Sequence, residues 1–211
     1  MIAISSSLIY KLIYVYICSM PRHKLISDDQ ALDALLPLMV QTGPDGLTFA
    51  AAAKVCGLSA ATLVQRYGKR EDLVEAVLLR AWDGLQALTE AADAKEPVTP
   101  QGAISLLMGL TTTESAEQNA SDGLLLLRED IRNPVLRERG ARWGRTLAHA
   151  LGRRVTENGK NAERLGWQMA SIWQGAHTWW AFTRAEDAGL AIRKALEEWV
   201  AMVERAERLS K

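Results

Sequence analysis

From Phe49 to Gly68 the chain reads FAAAAKVCGLSAATLVQRYG. The stretch is rich in alanine, is cut by Gly57, and closes on Gln65, Arg66 and Tyr67. Thr48 and Ser59 each precede a short apolar run, the position of a helix N-cap. The spacing predicts two short helices joined by a turn. With Phe49 as the first position, Ala53 is the fifth, Gly57 the ninth and Leu63 the fifteenth. Two helices that cross steeply need a small residue at the crossing, which Ala53 supplies. The turn needs a residue that tolerates positive φ, which Gly57 supplies. Leu58 and Leu63 close the junction. Ser59, Ala60, Thr62, Gln65 and Arg66 then occupy the start and outer face of the second helix, the part of a helix-turn-helix that enters the major groove. A pair of alanine-rich core helices would share the Ala-x-x-x-Gly spacing, so the flanking residues decide between the two.

Those residues are Thr48, Ala53, Gly57-Leu58-Ser59, Thr62-Leu63, Tyr67 and Lys69-Arg70-Glu71-Asp72-Leu73. On them the segment from about Ile26 to Leu79 resembles the TetR family of transcriptional regulators. The chain departs from the family at Ala61, where glycine is common, and at Val64, where a phosphate-touching tyrosine is common. Val64 is read as packing inward or lying against a thymine methyl. Arg66 stands where histidine is frequent. The resemblance implies an all-α chain. An N-terminal three-helix DNA-binding domain would be joined by a long connecting helix to a helical domain that binds a ligand and dimerises.

The rest of the chain fits that class: from Ser27 onward no strand pattern occurs. SDDQALDALLPLMVQTGPDG starts with a cap and first-turn acids, then places Leu32, Leu35, Leu36 and Met39 at helical spacing. Pro37 is a point of expected kinking, and Gly43-Pro44-Asp45-Gly46 a stop. A long helix is expected from Arg70 to about Leu88, broken by ADAKEPVTPQG. Helices are then predicted over about Gln101–Thr113, Gly123–Ile131, Pro134–Glu157, Asn161–Arg184 and Asp187–Arg208, with TTTESAEQNASDG as a polar connection. Domain limits are set at 20–79 and 80–211. Residues 1–19, largely apolar with Lys11 as the one charge, are read as an upstream extension of the reading frame ahead of Met20. A membrane anchor and a signal peptide are the alternatives, the first marginal in length and the second lacking a positive n-region and a cleavage site.

Net charge is zero, so any nucleic-acid surface is a local patch. Residues 20–80 hold seven basic and seven acidic side chains, and affinity must come from a few contacts in two copies. The residues expected at double-stranded DNA are Arg22, Lys24, Thr48, Ser59, Ala60, Ala61, Thr62, Gln65, Arg66, Tyr67, Lys69 and Arg70. Hydroxyls and helix-start amides serve phosphates. Arg22 and Lys24 form a basic arm, and Gln65 and Arg66 suit base edges. Lys69 and Arg70 oppose the dipole of the helix they begin, which a phosphate would relieve and which Glu71 and Asp72 also offset. Two cysteines, Cys18 and Cys56, point to a reducing, cytoplasmic compartment. No metal-ligand spacing, cofactor fingerprint or catalytic motif is found, so neither a cofactor nor an enzymatic role is expected.

Residues 80–211 hold all seven tryptophans. Trp82, Met108, Trp143, Trp173, His177 and Trp180 are candidates for an effector pocket for an apolar or aromatic small molecule, with core packing the plain reading of each tryptophan. Between Arg128 and Arg164 ten basic residues face five acidic ones, and Arg142 or Arg145 is placed to attract an anion. Two apolar stripes close the chain. Trp173, Gly175, Leu196, Trp199 and Val203 are the expected homodimer interface, since the resemblance implies a four-helix bundle there. The expected function is a repressor whose effector spreads recognition helices that otherwise match half-sites roughly 34–36 Å apart. The alternatives are an all-helical enzyme and a helical protein-binding adaptor without DNA binding.

Overall fold

The computed structural model describes residues 26–111 and 125–209, and every regular element among them is an α-helix. The helices are α1 (Asp28–Gly46), α2 (Phe49–Cys56), α3 (Ala60–Tyr67), α4 (Arg70–Lys95), α5 (Pro100–Leu110), α6 (125–132), α7 (Pro134–Val155), α8 (Gly159–Thr183) and α9 (Ala188–Leu209). Residues 1–19, Arg22, Lys24 and most of the polar connection after α5 lie outside the described residues. No described helix is long and apolar enough to cross a membrane.

The caps follow the sequence. Ser27 and Gln30 form a reciprocal box at α1, and Thr48, Ser59, Thr99 and Asn133 each accept a backbone N–H at the head of α2, α3, α5 and α7. Pro37 leaves the helical backbone of α1 intact. The break comes at Gly43 (φ 70, ψ 172), and Pro44 starts one further turn that reaches Gly46 instead of ending the helix. The connecting helix α4 also outruns its expected end, reaching Lys95 because nothing in ADAK stops a helix and Pro97 is the first residue that does. At 26 residues it is about 39 Å long.

One continuous apolar cluster runs from Leu35 and Leu63 through Leu73, Val77 and Leu85 to Trp143, Trp173 and Leu196. The two expected domains therefore share a core along α4. α1 and α3 pack on α4, with α2 held between them; α5 and α7 pack on it further along, and α8 and α9 form a layer over α7 and α5. α7 and α8 lie tightest, because Gly166 has no Cβ to meet the Ala148 carbonyl, which would sit 1.9 Å from one.

Candidate functional site

The α2–α3 unit is two short helices joined by a turn. Gly57 turns the chain at φ 66, and Thr48 Oγ1 and Ser59 Oγ accept from Ala51 and Thr62 N–H at 3.1 and 3.0 Å. Ser59 and Thr62 hydroxyls also meet at 2.8 Å. Leu63 is fully buried at the junction. The fully buried small residue of α2 is Ala52, with Ala53 half-buried beside it. Ala60, Ala61, Val64, Gln65 and Lys69 are exposed together on the outer side. Val64 thus points outward, against the inward alternative.

Two of the expected cationic contact residues are bonded within the chain, and the expected tyrosine hydroxyl is buried. Arg66 folds back, its Nη1 donating to the Ile26 carbonyl at 3.1 Å and to Asp28 Oδ1 at 3.2 Å. Arg70 donates to the Pro44 carbonyl at 2.7 Å and lies beside Asp45 and Glu71. The Tyr67 hydroxyl is buried without a partner among the described residues, so it is not offered at the surface. Burial pushes its pKa above the ordinary value. Lys69 stays exposed, while its backbone N–H is taken by Asp72.

Four of the seven tryptophans are anchored by an indole hydrogen bond, and the rings of Trp82 and Trp143 meet with centroids 5.7 Å apart. Trp82 Nε1 donates to Asp130 Oδ1 at 3.0 Å, Trp143 Nε1 to Thr89 Oγ1 at 2.9 Å, and Trp173 Nε1 to Thr111 Oγ1 at 3.0 Å. Trp180 Nε1 donates to the Glu186 carbonyl, closing the end of α8, and Met108 packs half-buried on α5. His177 sits edge-on to Trp173 with centroids 5.2 Å apart. Its Nδ1 must donate to the Trp173 carbonyl 2.9 Å away, and its buried Nε2 has no partner among the described residues. Burial pulls His177 down to about 4, against the opposing pull of that hydrogen bond.

Two cavities lined by described residues bear on the six expected pocket residues. Trp143 alone among them lines either described cavity. One, of about 390 Å³, lies between α6, α7 and α8 and also includes Leu127, Asp130, Leu136 and Trp167. The other is an open groove of about 680 Å³ between α4 and α7, where Arg139, Arg142 and Arg145 face Asp83 and Gln86. Both arginines singled out in the sequence as anion-attracting line this groove, and Arg139 is paired with Asp83 at 3.0 Å.

Neither a protein-family model nor a curated protein matches the chain.

The expected interface is corrected on burial. Trp173, Leu196 and Trp199 are core residues of a single chain, exposed by 0%, 0% and 8%, and so cannot lead a contact between chains. An apolar stripe identifies a packed face without saying whether the same chain packs it. Gly175 and Val203 are half-buried, and the large apolar side chains left on α8 are Trp179 (70% exposed) and Phe182 (78%), with ring centroids 6.0 Å apart.

Asp130 is a functional candidate that the sequence alone did not single out. It is buried, accepts from Trp82, and is pushed by burial up to about 7, with nearby Glu129 adding to the rise and the Trp82 bond opposing it. Its signal was periodicity, since Asp130 falls four residues after buried Leu126 and hence on the buried face of α6. Among the described residues no group of acidic, histidine or cysteine side chains is arranged to hold a metal ion.

Proposed function

We propose that the chain is a DNA-binding transcriptional regulator of the TetR type, a homodimer that binds a palindromic operator and answers to a small-molecule effector. The observation that carries this reading is the α2–α3 turn: two capped eight-residue helices, a left-handed Gly57 between them, and an uncovered outer face on α3. Such a helix presents its first turns to base edges while its capped N-terminus faces phosphate. The exposed face contains Ala60, Ala61, Val64 and Gln65, so direct readout rests on Gln65 and on apolar contact with thymine methyls. Lys69 supplies a phosphate contact. Arg66 and Arg70 join only when DNA phosphates replace Asp28 and Asp45 as their partners.

The uncovered Trp179 and Phe182 rings on α8 mark the dimer face in this reading. In the effector domain, α4 carries any displacement, since it packs against both halves of the core.

The test is a gel shift with DNA from upstream of the chain's own gene. A shift that unlabelled upstream DNA removes and random DNA does not supports the regulator. A second reading, a helical adaptor of the same fold, is favoured by the internal ties of Arg66 and Arg70. It predicts no DNA shift at any salt concentration.

A further inference from the structure

The cavity between α6, α7 and α8 holds a polar group that the fold leaves incomplete. Asp130 is 3% exposed, and its one hydrogen bond among the described residues comes from Trp82 to Oδ1. A carboxylate taken out of water with one donor is costly and is normally paired or neutralised. Around it the walls are apolar and aromatic. Trp143 is fully buried, and Trp167 comes so close to Gly144 that a Cβ there would stand 2.6 Å from its Cη2. Arg137 and Arg145 also line the cavity, but Arg137 donates to the Ile131 carbonyl at 3.0 Å and Arg145 to Glu138 at 3.4 Å. Neither is bonded to Asp130.

We propose that this cavity binds a flat apolar molecule carrying one cationic nitrogen, with Asp130 as its counter-ion and the indoles of Trp143 and Trp167 as its walls. Its volume of about 390 Å³ suits a ligand of two fused rings. A cation completes the carboxylate and gains from the faces of the indoles. An anion would meet Asp130 at close range. Two side-chain bonds link the site to α4, Trp82 to Asp130 and Trp143 to Thr89, and its service as the effector site rests on the regulator reading above.

Pairing with a cation draws the proton from Asp130, so binding releases a proton and strengthens as pH rises toward and past about 7. The charged groups facing Asp130 are Glu129 beside it and Arg137 and Arg145 on α7. α4 contributes Trp82 there, and α8 contributes Trp167 and Ser171, none of them charged.

The experiment is calorimetric titration of the full chain with naphthylmethylammonium, neutral naphthylmethanol and anionic naphthoate, in two buffers of different ionisation heat. The ammonium ion is expected to bind tightest and to release a fraction of a proton. Asp130→Asn keeps an acceptor for Trp82, which a thermal melt verifies. It is expected to weaken the ammonium by roughly tenfold to a hundredfold while leaving the alcohol unchanged. Naphthoate binding more tightly than the ammonium, or an ammonium affinity indifferent to Asp130→Asn, overturns the site. A gel shift with and without the ammonium keeps the two readings apart. Asp130-dependent binding that leaves DNA affinity alone upholds the site and removes its regulatory role. Failure to bind the ammonium alongside an intact DNA shift removes the site and leaves the regulator standing.

Discussion

Around the N-terminal half of α4 the arginines are half-buried and tied to acids: Arg66 to Asp28, Arg70 beside Asp45, and Arg80 to Asp33 through two bonds of 2.7 and 2.9 Å. At the other end Arg154 has a fully buried side chain. It reaches the Asp93 carboxylate and the carbonyls of Asp93, Glu96, Pro97 and Ala150, clamping the last turn of α4. The same residue type thus has different jobs at the two ends. The Arg66 and Arg70 pairs, whose acids are exposed, contribute little and exchange partners readily, which suits the phosphate-binding face proposed above. A buried guanidinium with all five donors used cannot be exchanged, and it fixes the end of α4 against α7.

Arg154→Ala tests the contrast with the largest expected effect. It leaves the Asp93 carboxylate with Arg153 as its remaining partner and several carbonyls without their donor, and should cost about 3–5 kcal/mol in denaturant melts. A melt like that of the unaltered chain would show the interior network to be dispensable.

Asp130→Asn comes next, with the opposite sign. The folded chain holds the Asp130 proton to about pH 7, well above the ordinary 3.8. Its contribution to stability is therefore complete below about pH 4 and is lost as pH rises through 7. Asparagine has no proton to lose. The variant should match the parent near pH 4 and exceed it by about 2–4 kcal/mol at pH 8. His177 works in the other direction: lowered to about 4, it adds stability above its ordinary 6.5 that is lost as pH falls through 4. A stability difference between variant and parent that does not change with pH would contradict the burial of a titrating Asp130.

Arg66→Ala has the smallest effect on folding. Without its bonds to Ile26 and Asp28 the domain should lose about 0.5–1 kcal/mol, read by thermal melting. A loss several times larger would make Arg66 a structural residue unavailable to DNA.

The parts legible in the sequence were the local ones. Caps at Thr48 and Ser59 and the left-handed Gly57 act within four residues of themselves, so a single chain read in order reveals them. The ties of Arg66 to Ile26 and of Arg70 to Pro44 span 40 and 26 residues, and no local pattern encodes them. Periodicity placed Trp173 and Trp199 on apolar faces correctly. It could not tell a face covered by the same chain from one covered by a second copy, and both proved internal. Trp179, adjacent to Trp180, is left exposed for the same reason: two neighbours on a helix point about 100° apart. The cavity needed three helices to be placed before Asp130 had surroundings at all.

The central claim is that the outer face of α3, with Lys69 behind it, lies on DNA. Salt-dependent titration of the full chain against upstream DNA measures this most directly, comparing the parent with Lys69→Ala and Gln65→Ala. Lys69→Ala is expected to weaken binding to all sequences alike and to lower the salt slope by about one unit for each phosphate it no longer neutralises. Gln65→Ala should leave the slope unchanged and weaken the operator by roughly 1–3 kcal/mol per half-site, relaxing preference at one base pair. Affinities and slopes equal to the parent's for both variants across the salt series would contradict the account.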